Sequence, residues 1–218
     1  MSLTVVVGWL LCVDELFSSW LGKDGGKHSA GMPHVTKIKR KPKGIGCEIK
    51  CLCDAISGIM LFLELQKGKV AQHAREFAVG VKAGTSLLLR LTKQFFGSMR
   101  TVCADSAFAS VEGAVHLRKN GLHFLGNVKT SHRLFPRKFL LQPALYACRG
   151  GSLVLKTMYQ GYKLLGIGWK DNSIQTFIAT RGVTSPGPAH VITQPQWTGP
   201  GESTNTVSYT HLRAHETR

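Results

Sequence analysis

Hydrophobic and polar positions along the chain divide it into short β-rich runs, one longer helical stretch, and breaks rich in Gly and Pro. Residues 5–13 are β-branched, aromatic and Leu-rich and run into Asp14 and Glu15, a pattern that predicts a buried strand ending at a carboxylate. Residues 23–46, rich in Gly, Pro and Lys, read as mostly loop. Two apolar stretches, 47–56 and 59–66, are joined through Ser57 and Gly58, a connection short enough for an antiparallel hairpin. From His73 to Phe96 the apolar residues Phe77, Val81, Leu88, Leu91 and Phe95 recur at helical intervals. That spacing predicts a helix closing near Gly97, weakened in its middle by Gly80 and Gly84.

Residues 100–105 form another short apolar run that ends on a carboxylate, Asp105. Ser110 is placed to cap a helix running to Asn120, with Gly121 as its stop. Residues 122–128 read as a strand. The order strand, hairpin, helix, strand, helix, strand predicts an α/β fold, a mixed sheet with helices packed on it. After Pro136 a short helix is expected. Residues 152–159, 162–169 and 174–180 then alternate as a small antiparallel β-meander near the C-terminal end. Pro, Gly, Ser and Thr dominate 181–206, and no internal repeat is present.

A chain of 218 residues with 43% hydrophobic content is long enough for one domain with a core. The 28 Lys and Arg against 12 Asp and Glu give a formal charge of +16, which directs attention to a polyanion, nucleic acid first. A merely soluble basic protein has the same composition. The six cysteines sit mostly in apolar runs, where thiols behave as small buried hydrophobes, and fit a reducing compartment. Cys47, Cys51 and Cys53 lack the second half of a zinc pattern, so no zinc is expected. The opening apolar run, 3–13, falls far short of the ~20 residues a membrane span requires, and no membrane partner is expected. Residues 207–217 match, without a mismatch, the in-frame translation of a sequencing-library adapter. Residues 207–218 are therefore set aside as an artefact, and the natural reading frame is expected to run on.

Asp14 and Asp105 end two strands on either side of a helical crossover. Carboxylates that converge in this way offer oxygen ligands to a hard Mg2+ or Mn2+, and two such ions stabilise the attacking and leaving oxygens of an in-line phosphoryl displacement. Taken singly, an Asp at a strand end is more commonly a turn residue or helix cap. Glu15 falls on the opposite side of its strand by alternation and reads as a salt-bridge or capping partner. Asp54 reads as structural. Lys37, Lys39, Arg40, Lys41 and Lys43 place five positive charges in seven residues, suited to holding phosphates or to serving nuclear import. Lys129, His132, Arg133, Arg137 and Lys138 form a second basic group.

The residues around these positions add a resemblance. Val-Asp-Glu-Leu-Phe-Ser-Ser-Trp at 13–20 resembles the first-aspartate motif of piggyBac-type transposases and the proteins derived from them. Gly-Met-Pro-His at 31–34 and Lys-Arg-Lys-Pro-Lys-Gly at 39–44 resemble the basic loop that follows. Cys-Ala-Asp-Ser-Ala-Phe-Ala-Ser at 103–110 is similar to the second-aspartate motif. Gly-Leu-His-Phe-Leu-Gly-Asn-Val-Lys-Thr at 121–130, with Phe135 and Pro136, and the segment 168–187 resemble the later strand, basic turn and hairpin. The resemblance runs in the family's order over residues 9–187. It implies an RNase H-like catalytic domain whose first and fourth strands lie side by side and parallel. Asp14 and Asp105 would then be the first two catalytic metal ligands. The implied activity is metal-dependent DNA cleavage and strand transfer, first by water and then by the freed 3'-hydroxyl. The implied partners are transposon-end and target DNA and, in the full-length parent, a second copy as a homodimer; the implied location is the nucleus. The family's third aspartate lies later than Asp171, so that residue is not assigned as a ligand. The expected organisation is a partial catalytic domain at 1–181, a linker or frayed end at 182–206, and the artefactual tail at 207–218. The alternative is a catalytically inactive, transposon-derived nucleic-acid-binding remnant.

Overall fold

The computed structural model describes residues 6–20, 34–39, 42–129 and 132–182. The expected linker beyond residue 182 and the adapter-like tail lie outside the described residues. Nine strands share one sheet: β1 (Leu10–Ser19), β2 (Thr36–Lys37), β3 (Ile45–Asp54), β4 (Met60–Leu65), β5 (Thr101–Ala104), β6 (His123–Asn127), β7 (Ser152–Tyr159), β8 (Tyr162–Lys170) and β9 (Ile174–Ala179). Four helices accompany them, α1 (Gly68–His73), α2 (Ala83–Thr92), α3 (Val111–Lys119) and α4 (Arg137–Leu140).

β1 is central. It pairs antiparallel with β3 and parallel with β5, β5 pairs parallel with β6, and β4 flanks β3. The mixed sheet with packed helices is thus the architecture anticipated, with the first and fourth core strands, β1 and β5, adjacent and parallel. The C-terminal meander is present with nearly the expected limits, but it is not a separate layer. β9 joins β6 antiparallel, so β9, β8 and β7 continue the same sheet.

The core lies on one sheet face. Leu11 and Val13 of β1, Leu52 of β3, Val102 and Ala104 of β5 and Phe124 of β6 meet Leu88 and Leu91 of α2 and Ala114, Val115 and Leu117 of α3. Leu88, Leu91 and Leu117 are fully buried, each contributing about 1.5–3 kcal/mol relative to exposure. Ser110 caps α3 as its sequence position predicts, its Oγ accepting from the Gly113 amide at 2.9 Å and satisfying a donor the helix cannot. Gly121 ends the helix with φ +70°, where an added Cβ would also lie 2.7 Å from the Gly97 Cα, so only glycine fits.

Three local expectations are corrected. The first strand begins at Leu10 and passes through Asp14 to Ser19, because its ladder with β3 extends to the Ser19–Gly46 pair; pairing, not the apolar run, sets its limits. The expected continuous helix over 73–96 is broken, since Phe77 and Gly80 take φ of +60° and +77° and right-handed helix cannot pass through them. Only α2, followed by a 3-10 turn at Lys93–Phe95, is regular. Within the expected loop at 23–46, Thr36 and Lys37 add a short strand beside Gly46 and Ile45.

Candidate metal and nucleic-acid site

The parallel ladder between β1 and β5 runs from Leu10–Thr101 to Val13–Ala104. One step further along both chains stand Asp14 and Asp105. β5 stops there and its chain turns into α3, the Phe108 and Ala109 amides donating to the Asp105 carbonyl at 3.0 and 3.2 Å. β1 continues, held by β3. The two residues therefore each follow the last pair of the parallel ladder, at the point where the strands part. Alternation puts Leu11 and Val13 into the core and Asp14 on the opposite face, where it is exposed. The Asp14 Oδ1 accepts from the Glu15 amide at 2.7 Å.

The Asp105 carboxyl is held below the usual range, first by the backbone N–H of Ser106, against the opposing effect of burial, and then by the Lys129 ammonium. Lys129 leaves the end of β6 and brings its Nζ to 3.7 Å from the Asp105 Oδ1. With both side chains more than half exposed, this pair adds only about 0–1 kcal/mol to stability. Its interest is electrostatic, since a cation already rests against the carboxylate. Both carboxylates are exposed, and carboxylate oxygens are the donor chemistry a hard divalent ion takes. Among the described residues no group of three or more His, Cys, Asp or Glu forms a metal site.

Glu15 points to the core side, as alternation requires. Its Oε2 accepts from the Nζ of its register partner Lys50 at 3.0 Å; that ammonium also reaches Glu48 at 2.6 Å and lies 5.0 Å from the centre of the Phe108 ring. Burial disfavours the Lys50 charge, yet its two carboxylate partners raise its pKa above the usual value. This largely buried cluster lies on the face of β1 opposite Asp14. The sequence signal was Glu48 and Lys50 at alternate positions of one strand. Asp54 is a turn residue at the end of β3, accepting from the Ser57 hydroxyl at 2.7 Å and the Ile56 amide at 3.2 Å. The Ser57 bond leads in lowering its pKa. Asp171 lies in the turn between β8 and β9, paired to Arg149 at 2.6 Å and separated from β5 by β6 and β9.

The basic residues fall into two places. Lys37 on β2, Lys39 and Lys43 are exposed near the far end of β1, where the Ser19 hydroxyl donates to the Lys43 carbonyl at 2.8 Å. Five residues of strand put this group about 17 Å from Asp14. Arg40 and Lys41 lie outside the described residues. In the second group Lys129 adjoins Asp105, Arg133 and Lys138 are exposed, and the Arg137 Nε donates to the Val128 carbonyl at 3.3 Å.

This strand order, with the first and fourth core strands adjacent and parallel, is that of an RNase H-like domain. The chain belongs to the Transposase IS4 family, whose profile matches residues 10–183. Its fold is that of a piggyBac transposase. The cryo-EM structure of a piggyBac transposase synaptic complex with hairpin DNA aligns at TM-score 0.63 and 21% identity, covering 80% of this chain and 34% of that one. The present chain thus spans about a third of that protein's length. No curated protein shows significant similarity to it.

Proposed function

We propose that residues 1–181 form the carboxylate-bearing part of a piggyBac-type transposase catalytic domain, followed by a linker at 182–206 and the adapter-derived tail. Asp14 and Asp105 hold Mg2+ or Mn2+, and the exposed basic loops hold DNA. The observation that supports this reading is the parallel register of β1 and β5, whose last pair, Val13 and Ala104, immediately precedes Asp14 and Asp105. The ion, when bound, supplies Lewis-acid stabilisation of the oxygens of a phosphodiester undergoing displacement. Ser106 and Lys129 keep Asp105 ionised and ready to ligate. Lys129, Arg133, Arg137 and Lys138 on one side, and Lys37, Lys39, Arg40, Lys41 and Lys43 on the other, hold backbone phosphates of transposon-end and target DNA without reading sequence. A third carboxylate from the longer parent completes the shell; the parent works as a homodimer in the nucleus, where the basic run 37–43 also serves import.

A second reading, DNA binding without turnover, is favoured by the contact of Lys129 with Asp105, which leaves that carboxylate partly neutralised when no metal competes. One pair of measurements separates the two. Mn2+ binding, followed by the loss of the free-ion electron paramagnetic resonance signal, should weaken at least tenfold in Asp14→Asn and in Asp105→Asn. If neither substitution weakens it, the ligand assignment is wrong. DNA affinity measured against salt should fall steeply, and if it does so with no response to Mn2+ in any variant, binding without turnover is the correct reading.

A further inference from the structure

The face of the sheet that carries Asp14 also gathers thiols. Cys12 precedes Asp14 by two residues and so shares its face. Across the β1–β3 ladder, Cys12 is opposite Cys53, Asp14 opposite Cys51, and Ser18 opposite Cys47. Across the parallel ladder Cys12 is opposite Cys103. Five of the six cysteines therefore line one face, although they come from three separate places in the sequence.

Two of these thiols are closer than a regular strand would set them. Residues two apart on a strand stand about 6.6–6.8 Å apart along it, yet the Cys53 and Cys51 sulfurs lie 4.0 Å from each other. The ladder between β3 and β4 slips between Leu52 and Cys53, and this irregularity accompanies the convergence of the two side chains. The flank beside them is open. Met60 and Leu63 of β4, opposite Cys53 and Cys51, are 55% and 52% exposed; Cys53 is itself partly exposed, and Cys51 is buried beneath it.

We propose that Cys51 and Cys53 form a two-sulfur binding site for a soft monovalent metal ion, Cu+. Thiolates select soft ions over the hard ions that carboxylates take. A structural Zn2+ asks for four ligands in a tetrahedron, and no group of three donors is present among the described residues. A monovalent d10 ion is satisfied by two sulfurs facing each other. On loading, each thiol releases its proton to water as its sulfur–copper bond forms; copper remains in the +1 state, and no oxidant takes part. The Cys51 thiol also donates to the Asp14 carbonyl at 3.4 Å, so loading removes that hydrogen bond and is sensed on the backbone of β1.

The test titrates the reduced 218-residue chain with Cu+ under anaerobic conditions against the colorimetric chelator bicinchoninate. The wild type should withdraw copper from the chelator. Cys51→Ser and Cys53→Ser should each lose one equivalent, whereas Cys148→Ser, at an exposed cysteine off this face, should keep it. A wild type that leaves all copper on the chelator overturns the proposal, as do serine variants that withdraw as much as wild type. Because a serine inside β3 can impair folding, a second measurement uses the wild-type chain alone. Dibromobimane, which bridges close thiol pairs, should join Cys51 to Cys53 in a crosslinked peptide seen by mass spectrometry, and prior Cu+ should block it. Absence of that peptide, or its formation undiminished by Cu+, refutes the site.

Discussion

Glu64 of β4 and Arg90 of α2 tie the outer strand of the core sheet to the helix layer, and cutting this tie has a calculable cost. The Arg90 Nε and Nη2 donate to the two Glu64 oxygens at 2.7 and 2.9 Å, and Arg75 also bonds Glu64. The Glu64 and Arg90 side chains are only 9% and 10% exposed. Glu64→Gln removes the countercharge and leaves Arg90 buried without it, a change that costs about 3–5 kcal/mol. At about 2–4 °C per kcal/mol for a domain of this size, the melting temperature should drop by roughly 6–20 °C. Arg90→Met alone should be less harmful, since Arg75 still bonds Glu64. The double substitution Glu64→Gln/Arg90→Met removes both charges and should recover a large part of the loss. Burial acts to raise the Glu64 pKa, but Arg90, then Arg75, outweigh it and the net shift is downward. The contribution is therefore present above the unfolded carboxyl value of about 4.3 and fades as pH falls through the lower folded value. Urea denaturation of the four proteins at neutral pH and in acid measures all of this. If the single variants lose less than 1 kcal/mol, or if the double variant loses the sum of the singles, the buried-pair account is refuted.

Further outcomes follow from other sites. Ser110→Ala removes the α3 cap and should cost about 1 kcal/mol, read by thermal melts; no loss would mean that the cap bond is not formed in solution. Gly168→Ala drives a methyl into the Tyr146 hydroxyl, which donates to the Leu140 carbonyl at 2.6 Å, and overpacking of this kind should cost about 1–3 kcal/mol. His123 is pushed down to about 4 by burial, then by the charges of Arg118 and Arg181. Because its folded value lies below the unfolded value of about 6.5, stability should decline as pH falls from about 6.5 towards 4; urea melts of His123→Gln should show a flatter slope in that window. Lys129→Met should raise the Asp105 pKa only part of the way to its ordinary value, because the Ser106 amide remains. Carbon-13 carboxyl titration by NMR checks the direction, and an unmoved titration would show that the Lys129 contact is absent in solution.

The features legible in the sequence are those decided locally. The hairpin at Ser57 and Gly58, the Ser110 cap, the Gly121 stop and the three late strands each depend on a few neighbouring residues, and their positions hold within a residue or two. What failed depended on distant partners or on backbone strain. Apolar spacing continues through Phe77, but Phe77 and Gly80 adopt left-handed backbone that side-chain periodicity does not record. β1 extends beyond its apolar run because β3 offers a ladder as far as Gly46, a pairing no window of local sequence contains. The placement of Asp14 beside Asp105 was accessible through the family resemblance rather than through composition or periodicity. The Lys129 contact and the Lys50 cluster required the sheet register. Charge counting singled out Lys129 as basic but gave no reason to set it against a carboxylate.

The same alternation that makes β1 a core strand also separates the site from the core. Leu11 and Val13 anchor the strand beneath α2 and α3, while Cys12 and Asp14, one residue out of phase, face away. The position of Asp14 is thus fixed by the β1–β3 ladder, where it pairs with Cys51, not by packing of its own side chain, and Asp105 directly follows the end of β5. Replacing either carboxylate with its amide removes no buried contact, so the stability change should fall within the roughly 0.5 kcal/mol typical of surface positions. Loss of metal binding in Asp14→Asn or Asp105→Asn therefore reports on ligation rather than on unfolding. Glu15, one residue from Asp14, is the reverse case. Its carboxylate is paired to a largely buried Lys50, so a substitution there disturbs the frame and the site together, and only the aspartates give a clean test of the chemistry.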